Sequence, residues 1–315
     1  MDKLAIFSGN SNPDLAKEIS GLLKVPLTHV LVGTFSDGEI QIQIKENIRG
    51  KDVFVIQPTC PPVNDNLMEL LILIDAARRA SASRITAVIP YYGYARQDRK
   101  DQPRVPITAK LVANIILAAG ANRVLTVDLH ASQIQGFFDL PVDHLYAKDI
   151  LCDYFVKTKN IDPKKLVVVC PDVGSLKMAR AYSEYMQASL AVIDKRRYNP
   201  NETEVMHILG EVNDKIAILV DDIIATGSSL ISAAEALEKQ GVIEVYAGLT
   251  HGVFSGNALK NIKDCKILKE VVITNTIPFQ RTKENSKIKV VSIASLLAEA
   301  IARIHNEESV SSLFS

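Results

Sequence analysis

The sequence predicts an α/β protein built from two successive modules, on three observations. Short β-branched runs alternate with helix-length segments almost from end to end. The runs are continuously apolar rather than alternating, the pattern of parallel strands covered on both faces. The length, 315 residues, exceeds the roughly 250–300 at which one core usually stops growing.

Taken in order, the first strand runs are LAIF (from Leu4), EIQIQI (Glu39), DVFVIQP (Asp52), ITAVIP (Ile85) and RVLTVDL (Arg123). There follow KLVVVCP (Lys165), LAVID (Leu190), KIAILVDD (Lys215), EVYAGL (Glu244), EVVITN (Glu270) and KIKVVSI (Lys287). Between several of them lie segments such as NDNLMELLILIDAARRA and ITAKLVANIILAAG, whose apolar residues recur with the period near 3.6 of an amphipathic helix. A second set of strand–helix units begins at DHLYAKDILCDYF, so the expected domains are residues 1–147 and 148–315. No low-complexity linker marks that seam. The C-terminal tail is expected to pack back on the first domain or on a neighbouring subunit.

Composition narrows the function. Lys plus Arg number 36 and Asp plus Glu 36, so there is no net charge to draw the chain to nucleic acid or to an anionic membrane, and neither is expected as a partner. The four cysteines are far apart and form no C-x-x-C pair; Cys170, in a Val-rich run, reads as a small core residue. The start MDKLAIFSGN has no long apolar stretch and no run approaches about 18 apolar residues, so the expected location is the cytoplasm.

Ligands of open parallel sheets bind beyond the carboxyl ends of the strands, so chemistry is sought in the residues after each run. In KIAILVDDIIATGSSL an apolar run opens onto Asp221 and Asp222, and Ala225, Thr226, Gly227, Ser228 and Ser229 lead into a helical stretch. First-turn N–H groups lack intrahelical partners and sit at the positive end of the helix dipole, so a loop of small hydroxyl residues there makes an anion seat. Carboxylates beside it can accept from vicinal hydroxyls or hold a hydrated metal ion. Together they fit a sugar phosphate. The plainer alternative is a solvated strand end with Ser228 and Ser229 as helix caps. The run VDDIIATGSS resembles the phosphoribosyl-binding signature shared by phosphoribosyltransferases and ribose-phosphate diphosphokinases.

Other loops decide between the two. FSDGE followed by NIRG is similar to the ribose-phosphate diphosphokinase family, also called phosphoribosyl pyrophosphate synthetase, although Ser-Asp-Gly also suits an ordinary turn. PYYGYARQDRKDQPR combines Arg96, Arg99, Lys100 and Arg104 with Tyr91, Tyr92 and Tyr94; the alternatives are a solvated loop or a single-strand nucleic-acid platform. Its YARQDRKD resembles the family's ATP loop. In VLTVDLHASQIQGFF, Asp128 and His130 stand two apart, which puts them on one face of an extended segment. In VVVCPDVGSLKMARAYSE, Asp172 follows a strand, Gly174 lets backbone approach an anion and Ser175 can cap the next helix. In AVIDKRRYNPNETEVMHI a strand breaks into three successive cations, by themselves usually a solvated run.

The resemblance spans essentially the whole chain and implies two tandem phosphoribosyltransferase-like domains. It implies transfer of the diphosphoryl group of ATP to the C1 hydroxyl of ribose 5-phosphate, giving 5-phosphoribosyl 1-diphosphate and AMP. A phosphoribosyltransferase and a catalytically silent regulatory homologue are the alternatives. By the same resemblance Phe35, Asp37, Gly38, Glu39, Arg96, Gln97 and Asp101 bind ATP, and His130 and Asp172 bind Mg2+. Asp172, Val173, Gly174 and Ser175 form the pyrophosphate loop. Arg197, Asp221, Asp222 and residues Ala225 to Ser229 bind ribose 5-phosphate, and Lys195 and Arg197 are catalytic. The family's assembly is a hexamer built from dimers, with the FSDGE loop serving a neighbouring subunit. An allosteric anion site is mapped to Arg49, Ser132, Gln135, Asp143, Ser309, Ser311 and Phe314. Two departures stand out: Ser175 where Gly-Gly is common, and Ala225 where a third carboxylate is common. Asn47 replaces a family Ser in the regulatory region.

Overall fold

A computed structural model describes residues 3–196 and 205–314. The chain forms two units: Met1–Tyr146 with Thr276–Pro278 and Ser292–Ser315, and Ala147–Asn275 with Phe279–Val291.

In the first unit, β1 (Leu4–Ser8) is followed by α1 (Pro13–Leu23), which Asn12 caps by accepting the Leu15 N–H. Strands β2 (Val30–Thr34) and β3 (Ile40–Ile44) make a separate antiparallel hairpin. Then come β4 (Asp52–Ile56), α2 (Val63–Arg79), β5 (Arg84–Ile89), α3 (Thr108–Ala119), β6 (Arg123–Val127) and β7 (Val142–Leu145). The sheet order is β1-β4-β5-β6-β7 and every neighbouring pair is parallel. Every residue of β4 is buried, as continuous apolarity demands. Phe7, Val55, Leu70, Leu73 and Ile74 share the core on which α2 and α3 close. Burying one such side chain is worth roughly 1.5–3 kcal/mol.

The second unit opens with α4 (Lys148–Asp153) and a π-helical turn, Tyr154–Thr158. It continues through β8 (Leu166–Cys170), α5 (Leu176–Met186), β9 (Ser189–Arg196), β10 (Val205–Leu209), β11 (Ile216–Ile224) and α6 (Ser228–Lys239). It ends with β12 (Glu244–Gly252), α7 (Ala258–Asp264), β13 (Leu268–Thr274) and β14 (Ile288–Val291). The sheet order is β10-β9-β8-β11-β12-β13-β14, parallel except where β10 pairs with β9. From β8 the chain builds one way to β9 and β10, then the other way from β11 onward. That reversal is a topological switch point, where open α/β sheets bind ligands. The first unit's order runs in one direction and has none.

The last helix, α8 (Ala294–His305), belongs to the first unit and packs along α1. Its end is tied to the sheet: Arg84 donates to the Ile304 carbonyl at 2.8 Å, and His305 Nδ1 lies 2.9 Å from Asp52 Oδ2. Three strands among the described residues are not signalled by the apolar runs: β2, β7 and β10. β2 is only half-buried, and β7 has four residues, two of them polar.

Candidate functional site

At the switch point β8 pairs with β11 only as far as Val169 and Leu219. β11 continues to Ile224 against β12, so Asp221 and Asp222 lie within the strand rather than just past it. Asp221 thereby stands beside the loop that leaves β8. Ser175 Oγ donates to Asp221 Oδ1 at 3.0 Å and lies 3.3 Å from Asp172 Oδ1. The Ser175 N–H donates to the same Asp172 oxygen at 3.0 Å, and Asp221 Oδ1 accepts the Asp222 N–H at 3.0 Å. Asp222 is buried. The structure thus brings Asp172, Gly174, Ser175, Asp221 and Asp222 to one place.

Charge is concentrated there. Burial of the Asp221 carboxyl, then the charges of Asp222 and Asp172, push it up to about 7, while the Ser175 hydrogen bond pulls it down. Cys170 lies underneath, its Sγ against the Asp172 carbonyl, and burial pushes the thiol up to about 11, so it is a core residue and not a nucleophile.

Ser175 differs from expectation. It precedes α5, yet its side chain caps nothing there, because the hydroxyl is turned to the two carboxylates. Ser228 and Ser229 are not caps either. The residue before α6 is Gly227, at φ 75°, and no side chain among the described residues caps this helix. A Cβ at Gly227 would touch Ala258 at 3.6–3.7 Å, ordinary contact, so the glycine is required by backbone conformation rather than by space. The first turn of this twelve-residue helix has no side-chain cap, and Thr226, Ser228 and Ser229 are exposed beside it, an arrangement chemically suited to an anion.

In the first unit, Phe35 to Glu39 form the tip of the β2–β3 hairpin. The Phe35 N–H donates to the Glu39 carbonyl at 2.7 Å, the Gly38 N–H to the Phe35 carbonyl at 3.0 Å, and the Glu39 N–H to Asp37 Oδ1 at 3.1 Å. Gly38 has φ 92°, which accounts for glycine there. Phe35 is left 50% exposed at the tip, as an aromatic offered to a partner would be.

The segment 90–104 splits into a pinned stem and an open loop. Tyr91 and Tyr92 are buried, and Tyr92 donates to the Ala109 carbonyl at 2.9 Å. Two of the three tyrosines are therefore not stacking faces, which removes the basis for a single-strand platform. Gln97 is anchored through the Ala109 N–H at 3.1 Å and the Thr108 hydroxyl. Arg96, Arg99, Lys100, Asp101 and Arg104 are exposed.

Asp128 and His130 do not share a face. β6 ends at Val127, and Asp128 has φ 39°, so the segment is a turn rather than extended chain. Asp128 is buried and His130 exposed. Sequence reasoning missed the residue that shapes this turn. His144 on β7, 3% exposed, accepts the Leu129 N–H at Nε2 (2.8 Å), with Gln135 at 3.1 Å from Nδ1 and the Tyr146 ring tilted against it, centroids 4.6 Å apart. A polar residue inside a short strand was the available signal.

Of the residues mapped to an anion site, Arg49 and Ser132 are exposed, while Gln135 donates to the Ser132 carbonyl at 3.0 Å. Asp143 is buried and paired with Arg123 at 2.6 Å. Ser309 and Ser311 hydrogen-bond each other at 3.0 Å, Arg303 donates to the Ser309 carbonyl at 3.0 Å, and Phe314 follows in a half-buried position. Lys195 is paired through its backbone with Met206; Arg197 lies outside the described residues. Val173 lies in the short helical turn Val173–Ser175.

Among the described residues no three His, Cys, Asp or Glu side chains are arranged to enclose a metal ion, and none of the helices is long and apolar enough to cross a membrane. Magnesium is ordinarily held by one or two carboxylates together with phosphate oxygens and water. Asp172, an exposed carboxylate on the loop after β8, is a donor of the kind that holds a divalent cation arriving with phosphate.

Comparison with known proteins covers the whole chain. A family model described as the N-terminal domain of ribose phosphate pyrophosphokinase matches residues 4–120, and one described as the phosphoribosyl synthetase-associated domain matches residues 197–315. The ribose-phosphate pyrophosphokinase of Caldanaerobacter subterraneus is 59% identical over 313 residues, 99% of this chain and 98% of its own. That of Clostridium tetani is 56% identical over 311 residues, 99% of this chain and 97% of its own. The crystal structure of phosphoribosylpyrophosphate synthetase from Mycobacterium smegmatis matches with a TM-score of 0.90 at 40% identity, covering 97% and 99% of the two chains.

Proposed function

The chain belongs to the ribose-phosphate pyrophosphokinase family, and from that membership we propose the reaction and the roles that follow. The protein transfers the β,γ-diphosphoryl group of ATP to the C1 hydroxyl of ribose 5-phosphate, giving 5-phosphoribosyl 1-diphosphate and AMP. The observation that carries this is the switch point of the second sheet, where Asp221 and Asp172 flank one hydroxyl and α6 presents an uncapped first turn.

The pentose phosphate sits on the loop Ala225–Ser229, its 5-phosphate accepting from the first-turn N–H groups of α6. Asp221 and Asp222 accept from the ring hydroxyls, and the Asp172–Ser175 loop receives the diphosphate. ATP is bound by Arg96, Gln97 and Asp101 and by the exposed Phe35 with Asp37, Gly38 and Glu39, the latter loop reaching a neighbouring subunit of a hexamer. Attack of the C1 oxygen on the β-phosphorus, with AMP leaving in line, needs positioning and charge neutralisation more than covalent help. Lys195 and Arg197 stabilise the transferring group. Asp172 and His130 are the residues that would each ligate magnesium, which would supply neutralisation of phosphate charge. The reaction takes place in the cytoplasm.

Phosphorus NMR of the protein incubated with ATP, magnesium and ribose 5-phosphate tests the reading. Equal appearance of AMP and 5-phosphoribosyl 1-diphosphate is expected. Persistence of ATP, or release of ADP, overturns it.

A further inference from the structure

The hydroxyl of Ser175 stands between two carboxylates that come from different strands. Asp172 follows β8 and Asp221 belongs to β11, neighbours at the switch point. Ser175 Oγ is 3.0 Å from Asp221 Oδ1 and 3.3 Å from Asp172 Oδ1. Its backbone N–H holds the same Asp172 oxygen at 3.0 Å, so the loop is already fastened to Asp172 without the side chain. A serine at a helix start ordinarily turns its hydroxyl to the first-turn N–H groups. Here it does not. A hydroxyl carries one proton, so it serves one carboxylate at a time.

We propose that Ser175 is a positioning residue whose hydroxyl couples the two arms of the site, so that occupation of the Asp172 loop strengthens pentose binding at Asp221. The inference rests on the ribose-phosphate pyrophosphokinase reading. When a metal-bound diphosphate engages Asp172, that carboxylate stops competing for the Ser175 proton. The hydroxyl then donates to Asp221 alone and holds it in its present orientation, leaving the remaining lone pairs of Asp221 for sugar hydroxyls. Methyl in place of hydroxyl leaves the backbone tie to Asp172 intact but removes the link between strands.

Calorimetric titration of ribose 5-phosphate into the full chain, with and without saturating magnesium pyrophosphate, tests this in the wild type, Ser175→Ala and Ser175→Thr. In the wild type the pyrophosphate is expected to tighten ribose 5-phosphate binding about tenfold, the scale of one charged hydrogen bond. Ser175→Ala is expected to bind ribose 5-phosphate but to lose most of that enhancement, and Ser175→Thr to keep it. Equal enhancement in Ser175→Ala and wild type overturns the coupling, as does its loss in both variants, which would assign the effect to loop shape. Absence of enhancement in a wild type that binds ribose 5-phosphate also overturns it. Failure of the wild type to bind ribose 5-phosphate at all removes the reading beneath it, a distinguishable result.

Discussion

The imidazole of His144 accepts the backbone N–H of Leu129 at 2.8 Å, between the buried Asp128 and the exposed His130. On the other side of the ring, Nδ1 lies 3.1 Å from the Gln135 side-chain amide. The Leu129 contact holds a turn whose first residue has left-handed backbone, a conformation that costs a residue other than glycine roughly 1–3 kcal/mol. His144→Phe should leave the Leu129 N–H unpaired in a buried place, a loss of about 1–3 kcal/mol. His144→Gln puts an oxygen where Nε2 was and should retain most of it. Thermal denaturation of both variants checks the first effect, and kcat should fall in the Phe variant but recover in the Gln variant.

Asp221 gives a pH dependence of definite sign. Its value in the folded chain, about 7, lies above the ordinary 3.8. Its contribution to stability is therefore fully present below about pH 4 and is lost as pH rises through 7. Asp221→Asn removes that loss. The variant and the wild type should melt together near pH 4, and the variant should melt higher at pH 8, by about 2 kcal/mol after allowance for solvent screening. It should also lose ribose 5-phosphate binding. A wild type that gains on the variant as pH rises contradicts the sign.

The parts of this molecule legible in its sequence are those fixed by local pattern. Continuous apolar runs such as Val167–Val169 and Val53–Ile56 announced buried parallel strands, but the strand announced by the run before Asp221 continues through Asp221 and Asp222 to Ile224. The strands β2, β7 and β10 were not legible as buried parallel strands: β2 is a half-buried arm of a hairpin with β3, β7 has four residues, two of them polar, and β10 is an edge strand antiparallel to β9. In the site, partners distant in sequence set the limit. Whether Asp128 and His130 share a face depends on the one φ angle at Asp128, set by β7 through His144 and the Leu145 carbonyl. That Ser175 turns away from its helix depends on Asp221, 46 residues further along. Tyr91 and Tyr92 looked like exposed aromatics beside arginines, but packing places them inside.

Gly227 should be intolerant of a side chain although there is room for one. Its φ of 75° is left-handed, while the nearest atoms to an added Cβ are at ordinary contact distance. Gly227→Ala therefore isolates backbone strain, roughly 1–2 kcal/mol. The chain can relieve it by reshaping the loop that would hold the 5-phosphate. KM for ribose 5-phosphate should rise while KM for ATP stays put. Equal change in both would remove the loop from the pentose site.

Lys195 is proposed to stabilise charge in the transition state, so its loss should fall on turnover rather than on binding. Lys195→Ala should lower kcat by about 10²–10³, or about 3–4 kcal/mol, by comparison with the loss of one donor to a developing oxyanion. KM values should change little and the melting temperature not at all. Near-normal turnover in a folded variant dismisses the role.

The stem and the loop of residues 90–104 predict opposite phenotypes for neighbouring positions. Tyr92 is buried with its hydroxyl on the Ala109 carbonyl, and Arg96 is exposed four residues later. Tyr92→Phe deletes one buried hydrogen bond while keeping the ring, so it should lower stability by about 1 kcal/mol and leave KM for ATP within about twofold. Arg96→Ala removes a cation from an exposed position, so the melting temperature should hold while KM for ATP rises by at least about tenfold, the equivalent of one charged hydrogen bond. Arg96→Lys keeps the charge but not the planar fork, and should recover only part of the affinity if the contact is bidentate. The two measurements, a melting curve and an ATP titration at saturating ribose 5-phosphate, should sort the variants in opposite order. If Arg96→Ala instead destabilises the fold and spares KM, the arginine is part of the stem, and the nucleotide must be held elsewhere on this unit.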